Sequence, residues 1–289
     1  MKVLPITFLS LSFTLLLSSG PAQEENKVPA AEPKNDAATQ LQLGRIYLQG
    51  DGVAKDEARA LEFFREAAGQ GNVKACNNLG LMYLKGMGVK ADAGEGLKWL
   101  RKAAENDPVA QSNLGLILAE GMGVAKDKKE AAVWYRKAAE QGMEAAQFRL
   151  GQLYYSGGDG LAVDPSEALR WLLKAAEKGH PQAQNSVGAI YNFGLGVKKD
   201  DKEAAAWFRK AASQGDPKAQ ANLGRLHTTG AGVERDPVLA YQWLQLSATR
   251  GEVSAINLLT DFILGMTPEQ IAEGDKAVAA YSTAPEGKE

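Results

Sequence analysis

The chain has 289 residues, 45% hydrophobic and 24% charged, proportions typical of a soluble globular protein. They exclude a wholly disordered chain and a multi-span membrane protein, and a formal charge of -2 leaves no basic excess to attract nucleic acid. Only two histidines, His180 and His227, and one cysteine, Cys76, are present, which argues against a Cys/His zinc cluster, a disulfide framework and an iron–sulfur site.

Met1 and Lys2 give a short positive start, and Leu4–Leu17 is mostly apolar. At about 14 residues this run is short for a bilayer span, which needs roughly 20. Ser18, Ser19, Gly20, Pro21 and Ala22 follow, completing the pattern of a secretory signal at 1–22 with a cut expected between Ala22 and Gln23. The alternative is an uncleaved amino-terminal anchor. Export is expected, to a bacterial periplasm or outside the cell, with membrane contact only through this segment. Residues 23–37 are polar, contain Pro29 and Pro33, and read as a flexible linker.

From residue 38 the chain repeats itself. LGRIYLQGDGVAKD at Leu43–Asp56 returns as LGLMYLKGMGVKAD at Leu79–Asp92 and as four further copies beginning at Leu114, Leu150, Val187 and Leu223. The glycines Gly44, Gly80, Gly115, Gly151, Gly188 and Gly224 are spaced by 36, 35, 36, 37 and 36 residues. Trp99, Trp134, Trp171, Trp207 and Trp243 keep the same period, with Phe63 in the equivalent place of the first copy. One structural role for all five tryptophans follows.

Each copy reads as two helices. The first carries a buried stripe such as Ala75, Leu79, Gly80 and Tyr83. A glycine inside a helix costs roughly 0.5–1 kcal/mol relative to alanine, so its return in every copy predicts the close approach of another backbone. A G-x-G pair ends the first helix. The second begins at a periodic aspartate (Asp56, Asp92, Asp127, Asp164, Asp200, Asp236). Glu95, Glu130, Glu167 and Glu203 stand three residues after four of these, a capping-box arrangement.

These motifs, L-G-x-x-Y-x-x-G-x-G-V, the following Asp and A-x-x-W-x-x-x-A-A-x-x-G, resemble the Sel1-like repeat family, relatives of the tetratricopeptide repeats. The resemblance covers 38–274 as six repeats and a worn seventh with capping helices, leaving 275–289 as the end of the last helix and a frayed tail. It implies an all-α fold, a right-handed superhelical α-solenoid of stacked antiparallel helix pairs. Leu118 and His227 depart from the first-helix tyrosine, and Gly158-Asp159-Gly160 carries one extra residue.

Little in the sequence suggests catalysis. The periodic aspartates and glutamates already have capping roles, and the G-x-G-V loops lack the strand and continuation of phosphate cradles. Some relatives carry a β-lactamase or penicillin-binding label, but no serine here has lysine three positions later and no KTG triplet occurs. No catalytic residue, cofactor or metal is therefore expected. The leading reading is a non-enzymatic interaction scaffold of the cell envelope, with a protein partner and no nucleic acid. The alternatives are an enzyme acting on β-lactam or peptidoglycan and a purely structural spacer. By the tetratricopeptide analogy, a concave groove would use first-helix positions outside the core: Asn77, Ser112, Phe148, Gln152, Tyr155, Asn185, Asn192 and Arg225.

Overall fold

The computed structural model describes residues 36–283; the leader expected at 1–22, most of the expected linker and the last six residues lie outside them. The described residues form fourteen α-helices and no strand, apart from an isolated bridge between Gly158 and Leu161. First helices are α1 (Ala37–Gln49), α3 (Val73–Lys85), α5 (Pro108–Glu120), α7 (Glu144–Ser156), α9 (Pro181–Phe193) and α11 (Pro217–Thr229). Second helices are α2 (Glu57–Gly69), α4 (Ala93–Ala103), α6 (Lys128–Glu140), α8 (Pro165–Glu177), α10 (Asp201–Ser213) and α12 (Pro237–Thr249). The helices α13 (Val253–Ile263) and α14 (Pro268–Thr283) follow. The chain divides into two compact units after Ala138, and within each unit every first helix packs on the second helix that follows it.

The first helices close on a left-handed glycine, such as Gly50 at φ 81°, whose N–H bonds the Ile46 carbonyl. Every second helix starts where the sequence places it. The Asp92 carboxylate accepts from Glu95 N–H at 3.0 Å, and Asp200 accepts from Lys202 and Glu203 N–H, both at 3.0 Å. The glutamates of the expected capping boxes take a different partner. Glu130, Glu167 and Glu203 accept from the indole N–H of Trp134, Trp171 and Trp207 at 3.1, 3.1 and 2.8 Å. Thr267 and Gln270 form a reciprocal box, with Gln270 N–H donating to Thr267 Oγ1 and Thr267 N–H to Gln270 Oε1.

The periodic glycines admit a side chain more than a backbone. A Cβ at Gly44 would stand 2.6 Å from Phe64, at Gly115 2.9 Å from Tyr135, and at Gly188 2.7 Å from Phe208. Leu100, Leu172 and Leu244 take the same place opposite Gly80, Gly151 and Gly224, where a helix carbonyl also lies near. The residue after each tryptophan is thus fully buried. Trp171, Trp207 and Trp243 are buried as well, whereas Trp99, Trp134 and Phe63 remain half-exposed. A lysine three residues on covers the indole face: Lys137 on Trp134 at 4.1 Å, Lys174 on Trp171 at 4.3 Å and Lys210 on Trp207 at 3.9 Å. The extra residue of the fourth repeat is absorbed in its loop, where Asp159 takes a positive φ of 49°.

Candidate functional site

The expected groove positions divide by their place on the first helix. Asn77, Ser112, Phe148 and Asn185 stand three residues before the periodic glycine. The first three are buried and Asn185 is half-buried. In the amino-terminal unit Asn113 Nδ2 donates to Asn77 Oδ1 at 3.0 Å, and Asn77 Nδ2 is buried without a partner. In the carboxy-terminal unit Asn222 Nδ2 donates to Asn185 Oδ1 at 3.0 Å.

Phe148 lies in the core and stacks on the His180 imidazole, ring centres 4.4 Å apart. His180 is the N-cap of α9: its Nδ1 accepts from Ala183 N–H at 3.3 Å. Burial holds its pKa below the ordinary value, and the Glu144 carboxylate works the other way. The second histidine, His227, is buried, with Nδ1 3.0 Å from the Glu234 carbonyl.

Asn192, Arg225, Gln152 and Tyr155 lie beyond the glycine. Asn192 is buried and serves as a bridge: its Nδ2 donates to Asp201 Oδ1 at 2.8 Å, and its Oδ1 accepts from Arg225 at 2.7 Å. Lys199 pairs with the other Asp201 oxygen at 3.0 Å. Burial lowers the Arg225 pKa, partly offset by the Asp201 charge. Gln152 and Tyr155 are one helical turn apart on α7 and both half-exposed. Burial pushes the Tyr155 hydroxyl up, so it is a neutral donor and acceptor at ordinary pH. Of the eight positions, Asn77, Ser112, Phe148 and Asn192 are therefore committed to packing. Gln152, Tyr155, Asn185 and Arg225 keep surface; Tyr155 also packs on the cluster around Phe148 and Leu172, and Asn185 and Arg225 are hydrogen-bonded to neighbours.

One periodic position escaped the sequence reading. Gln111, Gln147, Gln184 and Gln220 each donate Nε2 to the last-turn carbonyl of the preceding second helix, at 3.0 to 3.1 Å. Such carbonyls have no partner within their own helix. Cys76 stands in this place in the second repeat, its Sγ 3.9 Å from the Ala68 carbonyl, and burial raises its pKa. The signal was available as the dipeptide Ala-Gln four residues before the periodic glycine.

Among the described residues no group of three or more His, Cys, Asp or Glu side chains could hold a metal ion, and no helix is long and apolar enough to cross a membrane. The Sel1 repeat model matches six consecutive segments, 37–72, 73–108, 108–143, 144–180, 181–216 and 217–252. A Sel1 repeat protein from Oxalobacter formigenes is 38% identical with a TM-score of 0.61, over 75% of this chain and 89% of its own. The protein c5321, a protective antigen present in uropathogenic Escherichia coli strains displaying an SLR fold, is 32% identical with a TM-score of 0.51 over 85% of this chain. The chain spans 60% of that protein's length. No curated protein matches the chain significantly.

Proposed function

Because the chain belongs to the Sel1 repeat family, whose members generally mediate protein–protein interaction, we propose that it is a non-catalytic adaptor of the cell envelope. It holds a peptide or loop of a partner protein on the first-helix faces of its carboxy-terminal unit. The observation that carries this reading is the α7 surface. Gln152 and Tyr155 present an amide and a phenol at i and i+3, half-exposed on a helix whose other side is packed. An amide and a neutral phenol can both donate to and accept from an extended backbone, and tyrosine adds apolar contact area. Asn192, Asp201 and Arg225 fix one another on the neighbouring helices, which makes this part of the unit rigid. The export leader at 1–22 supports the placement in the envelope.

Pull-down from envelope extract with the purified chain, and with the Gln152→Ala/Tyr155→Ala variant, tests the site. Loss of one specific partner with the variant is expected; unchanged recovery would refute the assignment. Nitrocefin turnover by the pure chain would refute the non-catalytic reading.

A further inference from the structure

In three repeats the second glycine of the G-x-G loop lies against the first residue of the preceding repeat's second helix. A Cβ at Gly88 would meet the Glu57 carbonyl, at Gly196 Pro165, and at Gly232 the Asp201 carbonyl. Gly232 thereby borders a cleft of about 620 Å³ at the start of α10, a size within the roughly 300–1,000 Å³ of ligand-binding clefts. Tyr191 and Val197 give the cleft an apolar wall. Its other lining side chains are all charged: Lys198, Lys199 and Lys202 with Asp200 and Asp201.

Both carboxylates are already committed. Asp200 Oδ1 caps α10 by accepting from Lys202 and Glu203 N–H. Asp201 accepts from Asn192 Nδ2 on one oxygen and pairs with Lys199 on the other. The ammonium groups of Lys198 and Lys202 and the Tyr191 hydroxyl have no hydrogen bond or ion pair among the described residues. The lysines thus outnumber the carboxylates, and the charged groups left without a partner are both cations. Next to the lining in sequence stand Glu203, which accepts from the Trp207 indole, and Glu234 and Arg235, which offset each other in charge.

The other copies show that the fold does not need these two lysines. Two residues before and two after the periodic aspartate stand Ala54 and Ala58, Lys90 and Gly94, Ala125 and Lys129, Ala162 and Ser166, and Glu234 and Val238. Lysine on both sides occurs in the fifth copy alone. The Lys199–Asp201 pair has a counterpart in the first copy, Lys55 with Glu57 at 2.8 Å, and so belongs to the repeat; Lys198 and Lys202 are additions to it.

We propose that this cleft between the fifth and sixth repeats docks an acidic segment of a partner protein, its carboxylates paired with Lys198 and Lys202 and an apolar side chain laid against Tyr191 and Val197. Charge complementarity of this kind sets register and partner choice more than raw affinity. Only the choice of a protein as carrier of the carboxylates rests on the adaptor reading. Gln152 and Tyr155 lie on α7, outside the cleft, so the two assignments fail separately.

The probe is a fluorescent synthetic peptide of about ten residues, with Glu at alternate positions and one central Phe, titrated into the full chain and followed by anisotropy. A counterpart with Lys for Glu is the control peptide. Saturable binding is expected, weakening with salt, and at least tenfold weaker for Lys198→Ala/Lys202→Ala and for the Lys counterpart. Lys90→Ala/Lys129→Ala removes the same charge from the solitary lysines at equivalent places in the second and third copies, and should leave binding unchanged. All four lysines are exposed, and an unchanged circular dichroism spectrum confirms that both variants fold. Absence of saturable binding, equal binding by Lys198→Ala/Lys202→Ala or of the Lys counterpart, or an equal loss with Lys90→Ala/Lys129→Ala, would overturn the proposal. So would adsorption to phosphatidylserine vesicles that Lys198→Ala/Lys202→Ala abolishes.

Discussion

Gly188→Ala separates the packing role of the periodic glycines from their intrinsic helix propensity. On propensity alone the change stabilises a helix interior by roughly 0.5–1 kcal/mol. In this fold the new methyl would stand 2.7 Å from both Cδ1 and Cε1 of Phe208, whose ring is fully buried. Overpacking of that kind costs typically about 1–3 kcal/mol, so a net loss of about 1–2 kcal/mol is expected. Urea unfolding followed by circular dichroism reads the change. Gly69→Ala is the control, because its Cβ would meet nothing within 4 Å and its φ is not left-handed; it should be neutral or slightly stabilising. In the double variant Gly188→Ala/Phe208→Ala the clash disappears, and the loss should fall short of the sum of the singles by about 0.5–3 kcal/mol. Stabilisation by Gly188→Ala, or additivity in the cycle, would refute the ring-against-glycine account.

Trp171→Ala should cost about 3–5 kcal/mol, since the indole is 1% exposed; a loss below about 1 kcal/mol in the same assay would contradict its burial. Cys76→Gln restores the amide that the other repeats use on the preceding helix end. It should raise stability by about 0.5–1.5 kcal/mol in thermal unfolding, and a decrease would deny the equivalence of the two positions. His180 caps α9 through an unprotonated Nδ1, and its folded pKa lies below the ordinary 6.5. The unfolded chain therefore binds the proton first. The cap's contribution is complete above about pH 6.5 and is lost as the pH falls through the folded pKa. His180→Asn keeps a capping oxygen without that titration, so the acid sensitivity of the melting temperature should shrink in this variant.

Much of the fold is legible because the chain states it six times. Gly188 and Trp207 recur in register with their counterparts, and the aspartate caps repeat with them. The residue after the tryptophan was harder to single out. It varies among Phe, Leu and Tyr, since each glycine face accepts a large apolar side chain without fixing its shape. Tryptophan recurs for a more specific reason in repeats three to five, where its N–H needs the glutamate and its ring face takes the lysine. The first-helix surface was legible only in part. Helical spacing places Phe148 and Tyr155 on neighbouring sides of α7, but does not say which of them is buried; Phe148 is, and Tyr155 keeps surface.

Photo-crosslinking in the native cell tests the adaptor reading most directly, with benzoylphenylalanine at Gln152, at Tyr155 and, as a control, at the exposed Glu140 of α6. Adducts of one and the same protein at Gln152 and Tyr155, absent at Glu140, are the expected result. No adduct at either position, or the same adducts at all three, would contradict it.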